Sequence, residues 1–72
     1  MPKLLVKDKE LLRLLVKHFG YAVLRQRSSH VRITDGKHYA TIPIHNRELR
    51  TGTLLAILKQ VGLSREDIEK YL

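Results

Sequence analysis

The chain has 72 residues, a net charge of +7, 43% hydrophobic residues and no cysteine. A chain of this length forms one domain at most, which we place at residues 1–72, and it buries only about 60% of the surface that its unfolded form exposes. These features exclude disulfides, thiolate chemistry and a deep substrate cavity, and no apolar run approaches the roughly 18 residues of a membrane-spanning helix.

Positive charge is concentrated in the body of the chain. Between Leu11 and Arg65 there are ten lysines and arginines but only two acids, Asp35 and Glu48. This imbalance predicts a polyanionic partner, either nucleic acid or an acidic protein, with a merely solubilising basic surface as the alternative. The charges spread through the N-terminal segment argue against a secretory signal, and with the lack of cysteine they favour a cytoplasmic location.

The first predicted element is an amphipathic helix over "DKELLRLLVKHFG". Asp8 is its predicted N-cap, and Gly20 is expected to end it. The following "YAVLRQR" is rich in β-forming residues and predicts a strand near residues 21–26. The helix carries its apolar stripe at helical spacing, with Leu14 at the margin; the stripe is Leu11, Leu12, Leu15 and Phe19.

A β-hairpin is the clearest local prediction. Two alternating runs, "SHVRIT" and "KHYATI", flank Asp35-Gly36, a dipeptide that favours a two-residue type I′ turn. That turn places Thr34 opposite Lys37 and pairs Ile33 with His38, which is then a partly buried residue on the core side. Because side chains alternate across a strand, one face should meet the core: Val31, Ile33, Ala40 and Ile42. The opposite face should be open: His30, Arg32, Lys37, Tyr39 and Thr41.

Two further helices follow the hairpin. "TGTLLAILKQVG" predicts a helix that begins at Thr51 or Gly52, ends at Gly62 and buries Leu54, Leu55, Ile57, Leu58 and Val61. A short last helix opens with a capping box between Ser64 and Asp67, and Leu63 and Ile68 are spaced for a hydrophobic staple. The predicted fold is α+β: helix, three-stranded antiparallel meander, helix and short helix, with both main helices on one sheet face.

His30 is the candidate catalytic residue, since it lies on the predicted open face near Arg25, Arg27 and Arg32. RNA carries its own nucleophile, the 2′-hydroxyl, and needs only a base to take its proton, which histidine can do near neutral pH. Arginines would stabilise the charge that builds on the phosphate. On pattern alone, a nucleic-acid-binding face without catalysis explains these residues equally well. We assign RNA contacts to Arg25, Arg27, Ser29, Arg32, Lys37 and Tyr39, and supporting roles to His45 and Thr41.

Metal and hydrolase sites are not indicated. The four histidines, at positions 18, 30, 38 and 45, form no close pair and no cysteine supplements them, so a zinc site is not expected. No carboxylate is placed to orient His30 behind Ser28 and Ser29, which argues against a serine-hydrolase triad. We expect no cofactor. The group that would protonate the leaving oxygen is open between Tyr39, Lys37, His45 and water.

The order and spacing of several short motifs resemble the HicA-type toxins, also called YcfA-like, which are small mRNA interferases of prokaryotic toxin–antitoxin pairs. The resemblance covers nearly the whole chain. Its residues are Gly20-Tyr21, Arg25-Gln26-Arg27-Ser28-Ser29-His30, Thr41-Ile42-Pro43-Ile44-His45, Glu48-Leu49, Gly52-Thr53-Leu54, Ile57-Leu58, Gln60 and Gly62-Leu63-Ser64.

The resemblance implies a fold similar to the double-stranded-RNA-binding domain, in agreement with the predicted helix–meander–helix order. It further implies metal-independent cleavage of mRNA with His30 as the catalytic residue. It also implies a HicB-like antitoxin that binds the toxin and covers the His30 face, with a toxin that alone is a monomer. The family typically has glycine where this chain has Ser28, and a glycine there allows positive φ. Two other functions stay open: an RNA-binding module without catalysis, and a subunit that binds only an acidic partner protein.

Overall fold

The structure is a computed structural model that describes residues 5–72, so expectations about residues 1–4 lie outside the described residues. Its elements are α1 (Asp8–His18), β1 (Ala22–Arg27), β2 (His30–Thr34), β3 (Tyr39–Pro43), α2 (Thr51–Gln60) and α3 (Arg65–Glu69). The strands form an antiparallel sheet in the order β1-β2-β3. This arrangement confirms the predicted α+β fold of the double-stranded-RNA-binding type.

One face of the sheet is covered by the helices. α1 and α2 both contact β3, and the predicted core face of the hairpin is buried: Val31, Ile33, Ala40 and Ile42. The helices contribute Leu11, Leu14, Leu15, Leu54, Ile57, Leu58 and Ile68 to the same cluster. Leu14 is therefore a core residue rather than a marginal one, while Leu12 is only partly buried. Leu55 was predicted to be buried, but it lies on the solvent side of α2 with 43% of its surface exposed.

The hairpin register differs from the predicted one by two residues. Thr34 pairs with Tyr39, and His30 pairs with Pro43. The turn holds four residues, 35–38, because the Asp35 carboxylate accepts the backbone N–H groups of Lys37 at 2.8 Å and His38 at 2.6 Å. A shift by two leaves the residues that stay in the ladder on their predicted faces with new partners, whereas Lys37 and His38 move from the ladder into the turn.

His38 lies in this turn and not in the ladder. It is exposed, and its Nδ1 lies 3.2 Å from Asp35 Oδ2. The predicted pairing with Ile33 is therefore wrong, because the carboxylate of Asp35 captures both the backbone and the ring of His38. These hydrogen bonds from His38 and Lys37 hold the pKa of Asp35 at about 2.

Asp8 does not cap α1. The N-cap position belongs to Lys7, whose side chain makes no capping bond, and Asp8 is the first helical residue. The carboxylate of Asp8 instead accepts backbone N–H groups of the loop after β3. The predicted capping box of α3 is present in full, with the Ser64 hydroxyl and the Asp67 carboxylate each bonded to the other's backbone N–H. Among residues 5–72 no helix is long and apolar enough to cross a bilayer.

Candidate nucleic-acid interface

The uncovered sheet face gathers a histidine and three arginines. His30 pairs with Arg27, and Arg32 pairs with Arg25, and directly opposed residues in an antiparallel pair point to the same face. A shallow pocket of about 230 Å³ lies between them, lined by Arg25, Arg27, His30, Arg32 and Thr41. The strand pairing thus brings together five of the residues that the sequence marked for function.

A β-bulge in β1 sets which side chains reach this pocket. The pairing shifts between Val23 and Arg25, so that Leu24 is an extra residue. Without the bulge, Val23 and Arg25 would share a face. With it, Val23 pairs with Ile33 on the helix side, while Arg25 and Arg27 stay on the open side. Bulges of this kind commonly redirect a side chain at a functional site.

A two-residue turn, Ser28-Ser29, presents His30 at the start of β2. Ser28 has φ +55, and Ser29 is not among the residues with positive φ, a combination found in type II′ turns, which favour glycine at the first central position. The positive φ gives a physical reason for the glycine that the HicA-type toxins typically have where this chain has Ser28. The Ser29 carbonyl accepts the Ile44 N–H at 2.6 Å, which ties the turn to the end of β3.

The cations of the face are not neutralised within the described chain. Among residues 5–72, no carboxylate forms an ion pair with Arg25, Arg27 or Arg32. The Arg32 guanidinium carbon lies 5.6 Å from the centroid of the Tyr39 ring, and Tyr39 is 52% exposed. An exposed aromatic beside free guanidinium groups is the combination on which single-stranded nucleic acids stack and bind.

Four of the sequence-predicted residues do not line the pocket. Lys37 belongs to the hairpin turn, and Tyr39 pairs with Thr34, four residues or about 13 Å along β2 from His30. His45 lines a neighbouring pocket instead. Ser29 is half-buried in the turn before His30.

The sequence did not reveal the role of Asp8. Its side chain is 1% exposed, and Oδ2 accepts the backbone N–H groups of His45 at 2.6 Å and Arg47 at 3.3 Å. Burial alone would raise the pKa of Asp8, but hydrogen bonds from the backbone of residues 45, 47, 9 and 46 outweigh it and lower the pKa. An acid at a helix start is normally read as a cap, and no local pattern links residue 8 to residues 45–47.

Metal-ligating side chains do not converge in the described part of the chain. Within residues 5–72 no three histidine, aspartate or glutamate side chains lie close enough together to hold a metal ion. The polar groups of the face are instead one imidazole and several guanidinium groups. These groups can hold an anion and exchange a proton.

Fold and face together define a small α+β protein of the double-stranded-RNA-binding type with a cationic open sheet. The family model described as "HicA toxin of bacterial toxin-antitoxin" matches residues 9–63, which is more than half of the chain, and the chain belongs to the HicA toxin family. The resemblance drawn from the motifs is thereby confirmed. A toxin of this kind has an antitoxin as its partner. No curated protein sequence matches the chain significantly.

Proposed function

We propose that the chain is a metal-independent endoribonuclease that cleaves mRNA, the toxin of a type II pair, with His30 as the general base. The observation that carries this proposal is the shared pocket of His30, Arg25, Arg27 and Arg32 on the open sheet face. One proton acceptor surrounded by unpaired cations suits a phosphodiester that supplies its own nucleophile.

The residues that line the pocket support the following reaction. The His30 imidazole takes the proton of a ribose 2′-hydroxyl, and the 2′-oxygen attacks the adjacent phosphorus. The bond from phosphorus to the 5′-oxygen breaks, which leaves a 2′,3′-cyclic phosphate and a 5′-hydroxyl. The arginines stabilise the extra negative charge on the phosphate oxygens as the new bond forms.

The leaving 5′-oxygen takes its proton from water or from protonated His30. Tyr39 and Lys37 are poorly located for this step. The strand partner of Tyr39, Thr34, lies about 13 Å along β2 from His30, and Lys37 lies beyond it in the turn. Both can contact RNA further along its course, Tyr39 by stacking on a base. With base catalysis worth about 10²- to 10⁴-fold, the enzyme should be slow.

The partner of the toxin is a HicB-like antitoxin that covers the His30 face, and the toxin without it is a monomer located in the cytoplasm. Acidic side chains on the antitoxin would complement the three unpaired arginines. The antitoxin would therefore block RNA binding, because its acidic side chains would contact the same arginines.

A second candidate function is RNA binding without catalysis. His30 is the one histidine among the residues that line the pocket, and a face built for binding would need only the arginines and Tyr39. Cleavage products decide between the two functions.

The test compares purified wild type with His30→Ala on a long RNA, with EDTA present throughout. We expect cyclic-phosphate products from wild type and none from His30→Ala, because no other base lines the pocket. His18→Ala is the matched control: His18 lies on α1 and stacks on Tyr71 at 4.0 Å, so this variant should still cleave. Equal cleavage by wild type and His30→Ala would refute the catalytic assignment, and RNA binding without products from wild type would favour the second candidate.

A further inference from the structure

A second pocket adjoins the His30 pocket at the end of β3. It encloses about 270 Å³, and its lining includes Pro43, His45, Arg47, Leu49 and Arg50. Pro43 is the direct strand partner of His30, and the Cα atoms of such partners lie only about 5 Å apart. The two pockets are thus neighbours across one strand pair.

The loop that forms this second pocket is held in place by a buried group. The Asp8 carboxylate accepts the backbone N–H groups of His45 and Arg47, and the Asp8 N–H donates to the Arg47 carbonyl at 3.0 Å. Between them Asn46 adopts φ +60, a left-handed conformation that asparagine tolerates better than most residues. The His45 and Arg47 backbones are therefore fixed before any ligand arrives.

Two exposed arginines at the pocket offer positive charge to an anion. His45, Arg47 and Arg50 are all exposed, and no carboxylate among residues 5–72 forms an ion pair with either arginine. The buried Asp8 carboxylate lies within hydrogen-bond distance of backbone donors. Two carboxylates that also line the pocket oppose an anion: Asp8, which is buried and accepts backbone N–H groups, and Glu48, which is exposed and is therefore the one that an anion would meet.

Resting on the proposed function, we propose that this pocket is a second RNA subsite, which binds a nucleotide outside the pair joined by the phosphodiester that is cleaved at His30. Arg47 and Arg50 hold its phosphate, while Pro43 and Leu49 offer apolar surface to its base or ribose. Because Pro43 is the strand partner of His30 and lines this pocket, a single strand that leaves the His30 pocket past Pro43 reaches it. The bound RNA then spans five arginines in place of three.

The test measures binding by NMR titration in the non-cleaving His30→Ala background, with a diribonucleotide and a hexaribonucleotide as probes. The double variant Arg47→Ala/Arg50→Ala should weaken hexanucleotide binding by about tenfold, since it removes two charge-assisted contacts. Dinucleotide binding should change no more than in the control Arg13→Ala/Lys17→Ala. The control has the same charge change on α1, in a different pocket.

A further variant is expected to have the opposite effect on RNA affinity. Glu48→Gln removes the exposed opposing carboxylate and should strengthen hexanucleotide binding about twofold. In the same titrations, the NMR signals of Thr53, which lines the pocket, should shift with the hexanucleotide and not with the dinucleotide. The proposed subsite is refuted if the Arg47/Arg50 variant weakens the hexanucleotide no more than the Arg13/Lys17 control, even where His30 proves essential for cleavage. Lack of any RNA binding refutes the proposed function too, and loss of antitoxin affinity alone in the Arg47/Arg50 variant assigns the pocket to the antitoxin.

Discussion

Ser28 is the residue at which local conformation and function conflict most directly. Its φ of +55 costs an ordinary L-residue about 1–2 kcal/mol relative to a right-handed conformation. The turn must nevertheless adopt it, because Arg27 pairs with His30 across only two residues. The strain is therefore located one residue from the turn carbonyl that binds Ile44 and two residues from His30.

Ser28→Gly should raise the free energy of unfolding by about 1 kcal/mol, because glycine adopts positive φ without the Cβ clash. Urea denaturation at neutral pH measures this change. Cleavage by this variant should equal or exceed that of wild type, since the position of His30 is unchanged.

Ser29→Gly is the matched control. Ser29 is not among the residues with positive φ, so glycine there brings only the entropic loss of about 0.5–1 kcal/mol. Equal destabilisation by Ser28→Gly and Ser29→Gly would show that the turn does not need a left-handed residue at position 28.

At the scale of elements, the helices and the sheet faces follow from periodicity, and the hairpin partners do not. Alternation put Val31 and Ile33 in the core and His30 on the open face, whatever the register. The register itself depends on how Asp35 uses its carboxylate, which accepts two N–H groups and widens the turn to four residues. An Asp-Gly pair suits either turn length, so the sequence alone left Lys37 misplaced in the ladder.

The interface was predictable to the same extent. Strand parity located His30 and Arg32 on the open face, and Arg25 and Arg27 were expected near them. That these two arginines share the face follows from the register of β1 against β2, which the sequence did not predict. The pocket at His45 and Arg47 was not predictable in this way, since it depends on contacts between Asp8 and a loop almost forty residues away. Such long-range contacts leave no periodic signal in the chain.

The hydrogen bonds between Asp8 on α1 and the loop after β3 predict that the free energy of unfolding depends on pH. Asp8 has a pKa below its ordinary value in the folded chain. Its contribution to stability is therefore complete above the unfolded pKa of about 3.9 and is lost as pH falls through the lower folded value. Asp8→Asn should lower the free energy of unfolding by about 1–3 kcal/mol at pH 7, because the amide removes a charge that buried N–H groups require.

The measurement is urea denaturation of wild type and Asp8→Asn at a series of pH values. The gap between the two proteins should narrow in acid, where the wild-type carboxyl becomes protonated. Glu10→Gln, an exposed acid on the same helix, should stay within about 0.5 kcal/mol of wild type. A gap that is constant with pH would mean that the charge of Asp8 is not what holds the loop.

At the scale of the molecule, the two faces of the sheet have different roles: the inner face forms the core and the outer face carries charge. The helices bury its inner face and provide the core, so the outer face is free of packing constraints and can carry charge. The net charge of +7 supplies a long-range field that attracts polyanions to any side. Only contacts that release counterions from the RNA at the open face and its adjoining pocket should appear in the salt dependence.

The salt dependence of RNA binding therefore reports how many arginines contact RNA phosphates. For single strands the slope of log K against log salt is about −0.7 for each phosphate neutralised, so five contacts from Arg25, Arg27, Arg32, Arg47 and Arg50 predict about −3.5 and a loss of about 100-fold in affinity between 50 and 200 mM salt. Fluorescence anisotropy with a labelled oligoribonucleotide and the His30→Ala protein measures this slope. Replacing Arg47 and Arg50 by alanine should reduce its magnitude by about 1.4, whereas Arg13→Ala/Lys17→Ala should leave it unchanged although the net charge falls equally. A slope that follows net charge in both double variants would mean that RNA binds by diffuse attraction and not along a defined course past His30.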